Sequence, residues 1–152
     1  MATLKERLDS EIKDAMRAKD ELKLGVLRML KSAIKYKEVE GEKHVLDDAG
    51  VIGVITTLVK QRRDSAAEFK AANRPELAEK EEKEIAVLQT YLPAQLDAAA
   101  LADAVKACIA EAGAKTIKDL GAVMKIASAK LKGQAEGKAI SEEVKAQLSR
   151  MT

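Results

Sequence analysis

Apolar residues recur at intervals of three and four along much of this chain, with charged residues on the opposite face. That spacing is the signature of amphipathic helices. Leu4, Leu8, Ile12, Ala15 and Met16 predict a first helix to about Arg17. After a break near Asp20, Leu22, Val26, Leu27, Leu30, Ala33 and Ile34 predict a second, to about Val39. Lys37 to His44 is charged, contains Gly41 and reads as a loop. Asp47 offers a side-chain acceptor to the orphan amides of a third helix, which carries Ile52, Ile55, Val59, Ala66 and Phe69 on one face. Asn73-Arg74-Pro75 marks a turn. Pro75 sits at the first position of a fourth helix, where its missing N–H costs nothing, and Leu77, Ile85, Leu88 and Leu92 form that helix's apolar face.

The pattern changes at Tyr91-Leu92-Pro93-Ala94-Gln95-Leu96. Proline donates no backbone hydrogen bond and pushes the preceding residue out of the α region, so the fourth helix must stop there. Tyr91, Leu92 and Leu96 are apolar, which makes this a packed joint between two modules. Beyond it, Asp97 can cap a helix on Leu101, Val105, Cys108, Ile109 and Ala112, stopped by Gly113. Thr116-Ile117-Lys118-Asp119 reads as a capping box for a helix on Leu120, Val123, Met124, Ala127 and Leu131. Lys132 to Lys138 is a two-glycine loop, and Ser141 is placed to cap a last helix on Val144 and Leu148. The fold read this way is all-α. Residues 1–92 form about four amphipathic helices, as a bundle or a pair of hairpins, and residues 93–152 form a small three-helix orthogonal bundle.

Composition supports helices and narrows the function. Of 152 residues, 47% are hydrophobic but only 2% aromatic, so the core must be built from Leu, Ile, Val, Met and Ala. With 27 Lys+Arg against 25 Asp+Glu the chain is not a strongly basic nucleic-acid binder as a whole. The distribution is uneven. Lys115, Lys118, Lys125, Lys130, Lys132 and Lys138 face only Asp119 and Glu136 between Gly113 and Lys138, so the handle for a polyanion lies in the second module. The first module then reads as acidic, a spacer or a protein-docking surface. A single cysteine, Cys108, excludes an internal disulfide and suits a reducing compartment. The charged N-terminus does not read as a signal peptide, and no stretch approaches a membrane span. The expected location is cytoplasmic, with no membrane partner.

Little in the residues resembles a catalytic site. Arg62 falls in the middle of the third helix's apolar arc, with Glu81 at the centre and Glu84 at the edge of the fourth helix's arc. A guanidinium so placed needs a partner or an exit to water. The reading is a structural ion pair from Arg62 to Glu84 or Glu81. Glu40 and His44 could share a helix face but lack the further ligands of a metal site, so no metal is expected. Cys108, on an apolar face without a nearby histidine, reads as core. There is no nucleophile motif and no phosphate loop, so no catalytic residue and no cofactor is assigned. The candidate binding residues are Lys118, Lys125, Lys130, Lys132, Gly133, Gly137 and Lys138. Glycines permit close backbone approach to a phosphate, a helix N-terminus favours anions, and lysines can flank both. Such contacts would position a nucleic-acid backbone without reading bases.

Leu27-Arg28-Met29-Leu30, Lys60-Gln61-Arg62-Arg63-Asp64-Ser65, Tyr91 to Leu96, Asp119-Leu120-Gly121-Ala122-Val123-Met124 and the Gly133–Lys138 loop occur in an order that resembles a YqeY-like protein of the GatB/YqeY family, over nearly the whole chain. The resemblance implies a helical N-terminal domain and a small three-helix domain similar to the tail of the B subunit of the glutamine-dependent tRNA amidotransferase. It also implies a tRNA-engaging role related to that carbon–nitrogen ligase, whose catalytic parts this chain lacks. The loop departs from the usual pattern, with Gln134 in place of an arginine and Glu136 in place of an aspartate, and Ala122 stands where a lysine is usual. The expectation is a non-catalytic tRNA-binding accessory module that makes backbone contacts through the second module, with a protein partner for the N-terminal domain. The alternative is a protein-interaction adaptor without RNA binding.

Overall fold

The structure, a computed structural model, describes residues 3–42 and 44–151. Lys43, in the predicted 37–44 loop, lies outside the described residues. The protein is all-α, with seven α-helices and one short 3-10 turn among these residues: α1 Leu4–Ala18, α2 Glu21–Val39, α3 Asp48–Ala71, α4 Pro75–Gln89, α5 Ala98–Ala112, the turn Ile117–Asp119, α6 Leu120–Lys130 and α7 Gly137–Met151. The chain divides into two compact units, Met1–Leu92 and Pro93–Thr152.

In the first unit the caps follow from the sequence. Thr3 accepts from the Glu6 amide, Asp20 from Lys23 and Asp47 from Gly50, each satisfying an orphan donor at a helix start. Pro75 opens α4 and Asn73, at φ 60°, supplies the left-handed turn ahead of it. α2 runs to Val39, the predicted end, so of the Lys37–His44 stretch read as loop the first three residues are its last turn. Glu38 fastens that end: its carboxylate is held by Lys5 of α1 and accepts the Leu46 amide at 2.8 Å. The pairing with Lys5 and the bond from Leu46 lower the Glu38 pKa. The core is Leu8, Val26, Leu27, Leu30, Ile34, Val51, Ile55, Val59, Ile85, Leu88 and Tyr91. The most extensive helix pair is α3 with α4. This unit is not acidic. Dividing the 27 Lys+Arg and 25 Asp+Glu at Leu92 gives it 18 of each, because the acidic run in α4 is matched by the lysines and arginines of α1 to α3.

In the second unit α5, α6 and α7 each pack on the other two around Val105, Cys108, Ile109, Val123, Ala127, Leu131, Ile140, Val144 and Leu148. Asp97 caps α5 by accepting from Ala100, and Gly113 ends it at φ 65°, in the left-handed region glycine enters at least cost. The Thr116–Asp119 box is formed, but it opens a 3-10 turn before α6 begins at Leu120. The final helix starts at Gly137, four residues before the predicted cap Ser141, which lies inside it. Ile140 is the reason. At 3% exposure it extends the Val144 and Leu148 stripe back by one turn, and its amide bonds the Glu136 carbonyl at 3.0 Å. Gly137 and Lys138 are therefore the first turn of α7 and not part of a loop.

Asp119 carries a pH dependence. Its carboxylate accepts the Lys115 amide at 2.8 Å and the Thr116 amide at 3.2 Å, and these two bonds hold its pKa below the ordinary value. A depressed folded pKa means that stabilisation is complete above the unfolded carboxylate pKa, near 4, and is lost as pH falls through the depressed value. Thermal melts of the protein below about pH 4 should show the second unit weakening. In an Asp119→Ala variant that part of the acid sensitivity should be missing; an unchanged profile would exclude this role.

Candidate nucleic-acid interface

The strap that shapes the candidate loop comes from the joint. Gln95 Nε2 donates to the Gly133 carbonyl at 2.6 Å and to the Pro93 carbonyl at 2.9 Å, and the Leu96 amide donates to the Gln134 carbonyl at 2.9 Å. Two stretches of the sequence, Pro93–Leu96 and the glycine loop, are thus one structural feature. Gly133 is buried beneath this strap at φ 80°. Its requirement for glycine is met by the turn itself, since a side chain there would strain the backbone. Gly137 is exposed, with open space where a Cβ would sit.

The six lysines are not equivalent. Lys130 ion-pairs with Glu111 of α5, which raises its pKa and ties α6 to α5. Lys118, Lys125, Lys132 and Lys138 are exposed and have no ion-pair partner among the described residues. Lys125 lies on the exposed side of α6 with Gly121, Ala122, Ser128 and Ala129. Lys118, in the 3-10 turn, precedes it and Lys132, past the end of α6, follows it, by seven residues each. α6 contains no carboxylate, and Asp119, the acid next to it in the sequence, is occupied by the two amides at the turn. These exposed lysines can meet phosphates, and with no aromatic residue after Tyr91 the unit cannot stack bases. The seven-residue spacing was visible in the sequence. The diversion of Lys130 to Glu111 was not, because it depends on how α5 and α6 pack.

Elsewhere, a surface groove of about 610 Å³ between α5 and α7 is lined by Ala102, Ile109, Ala110 and Met151, with Asp103, Lys106, Glu143 and Arg150 among its polar lining. It includes none of the candidate lysines. Cys108 is buried, and desolvation raises its thiol pKa, which disfavours the thiolate. In the first unit Arg62, 8% exposed, donates from Nε to Glu84 Oε1 at 3.1 Å and from Nη1 to the Leu58 carbonyl at 3.3 Å, with Nη2 2.9 Å from Met29 Sδ. Glu81 is half-buried on the same helix as Glu84. No group of three or more His, Cys, Asp or Glu side chains able to hold a metal is found among the described residues. None of the described helices is long and apolar enough to cross a membrane.

A family model described as Yqey-like protein matches residues 5–148. Among curated proteins, the chain is 40% identical over 85 residues to altered inheritance of mitochondria protein 41, mitochondrial, of Vanderwaltozyma polyspora, covering 56% of this chain and 46% of that protein. The protein of the same name from Kluyveromyces lactis is 40% identical over 84 residues, covering 55% of this chain and 45% of the relative. In Saccharomyces cerevisiae the figures are 36% over 85 residues, 56% and 46%. The matched region spans just under half the length of these relatives.

Proposed function

The chain belongs to the YqeY-like protein family, and on that footing we propose that it is a non-catalytic tRNA-binding accessory module, related to glutamine-dependent tRNA amidation. The observation that carries this reading is the set Lys118, Lys125 and Lys132, exposed and without ion-pair partners among the described residues, with small exposed residues around Lys125. Small side chains let a folded RNA surface come close, and the cations replace counterions at its phosphates. The sequence resemblance of residues 93–152 to the tail of the amidotransferase B subunit is what favours tRNA as the RNA in this proposal. Positioning, and not chemistry, is the contribution assigned to this chain. The first unit, neutral overall, offers a surface for a protein partner. The buried free thiol of Cys108 is consistent with a cytoplasmic setting; the yeast relatives carry the mitochondrion in their names.

The test is binding of purified protein to total tRNA across a salt series. Affinity should fall steeply with salt, and in a Lys118→Ala/Lys125→Ala/Lys132→Ala variant the log–log salt slope should shrink by roughly two to three, since each phosphate contact contributes about 0.7–0.9. Lys130→Ala should change binding less, because its ammonium is already engaged by Glu111. If the triple variant binds like the parent, the assignment fails.

A further inference from the structure

The first unit carries an exposed surface that its own core does not explain. By the helical period of about 3.6 residues, Gly25, Ser32 and Val39 lie on α2 opposite the buried set Val26, Leu27, Leu30 and Ile34. Arg28 and Lys35 flank that line on one side, and Met29 and Tyr36 flank it on the other. Tyr36 is 72% exposed, Val39 59% and Met29 37%. Single exposed apolar residues are ordinary, but here three lie along one helix face.

The charges on this face add to the pattern. Many basic side chains of the unit are matched, among them Lys5 with Glu38, Lys31 with Asp9, Lys37 with Glu40, Arg62 with Glu84 and Lys70 with Glu82, whereas Lys13, Lys19, Lys60, Arg74 and Lys80 form no ion pair among the described residues. Arg28 and Lys35 have no ion-pair partner among the described residues. Between Gly25 and Val39 the only carboxylate is Glu38, which is half-buried and held by Lys5 and the Leu46 amide. From Gly25 to Val39 the face is thus apolar along one flank and cationic along the other, with its one exposed acid, Glu21, a turn ahead of Gly25.

The geometry points to a docking site on α2 for an acidic amphipathic helix of a partner protein, with apolar side chains seated on Met29, Tyr36 and Val39 and two carboxylates facing Arg28 and Lys35. Those two bases are seven residues apart, about 10 Å along the axis, so the partner's carboxylates are also seven residues apart. Gly25 and Ser32, with small side chains on the central line, let the two helices approach closely. Tyr, Met and Arg are the residue types enriched in the cores of protein interfaces. A nucleic acid would gain little from Val39 and Met29, which is why a protein is favoured here. This site lies in the first unit and does not rest on the tRNA reading.

The test uses the full chain with a photoreactive benzoylphenylalanine replacing Ser32, irradiated in cells, and the cross-linked peptide is sequenced. That peptide is then synthesised and titrated against the purified full chain. The expected peptide is amphipathic, with Asp or Glu seven residues apart. An Arg28→Glu/Lys35→Glu variant should weaken its binding about 10- to 100-fold, and a peptide with lysines at the two acidic positions should recover binding to that variant. Both replaced side chains are exposed, so circular dichroism should show the variant folded. The Lys118→Ala/Lys125→Ala/Lys132→Ala variant should cross-link as the parent does, which separates failure of one site from failure of the other. Cross-linking to RNA, to a second copy of the chain or to a peptide lacking the paired acids overturns the proposal. So does the absence of any cross-link, or an affinity indifferent to the charge reversal.

Discussion

Glu84→Ala should cost the first unit about 3–5 kcal/mol of stability, the cost of breaking a buried ion pair from one side. The Arg62 side chain is only 10% exposed and that of Glu84 17%. Removing the carboxylate leaves the guanidinium bonded to the Leu58 carbonyl and against the Met29 sulfur, without a countercharge. Adding Arg62→Met to Glu84→Ala should return most of the loss, because the apolar arc around Ile55, Val59 and Ala66 can then close without an uncompensated charge. Urea unfolding of the two single variants and the double variant measures this. Additive losses, with no coupling between the positions, would mean that the pair does not hold α3 to α4.

The second large effect is at Tyr91. It is 3% exposed, Arg7 stacks over its ring at 4.3 Å, and Arg7 in turn donates to Glu11 at 2.6 Å. Its hydroxyl is buried near the Glu11 carboxylate without a well-formed hydrogen bond. Tyr91→Ala should cost about 3–5 kcal/mol through the lost packing. Tyr91→Phe should change stability by less than about 1 kcal/mol, and toward greater stability, since it removes an orphaned polar group while keeping the ring beneath Arg7. A loss of several kcal/mol in the Phe variant would show that the hydroxyl is bonded in solution. Burial first, then the Glu11 carboxylate, pushes the phenol pKa up. A raised folded pKa contributes stability below the unfolded phenol pKa, about 10, and loses it as pH rises further. The first unit should therefore weaken in alkali, and Tyr91→Phe should flatten that limb.

Much of the fold was legible because helices advertise themselves locally. Thr116, Asp47, Asp97, Pro75 and Gly113 act at helix ends as predicted, and the centres of the predicted stripes, Val26, Leu27, Leu30 and Ile34 of α2 and Ile55, Val59 and Ala66 of α3, are buried, while Leu22, Ala33, Ile52 and Phe69 are half-buried. The errors fell where tertiary contacts overrule local signals. Ser141 looked like a cap, but burial of Ile140 drew the helix start back to Gly137. Val51 and Ala78, both buried at 1%, were absent from the predicted arcs, because which residues at the edge of a stripe are covered depends on the neighbouring helix. Of the candidate interface, the lysines could be named but not sorted. Only the fold distinguishes Lys130, bound to Glu111, from Lys125, which stands alone on its face.

The strap from Gln95 and Leu96 onto Gly133 and Gln134 sets where the second unit begins as a transplantable piece. A fragment starting at Asp97 would retain every helix of that unit and still lose the bonds that fix its 131–136 turn. Cut at Leu92 instead, the fragment carries the strap with it. Pro93 to Leu96 is therefore the first element of the second unit and not slack between two bodies. Insertions should be tolerated ahead of Pro93 and not after it.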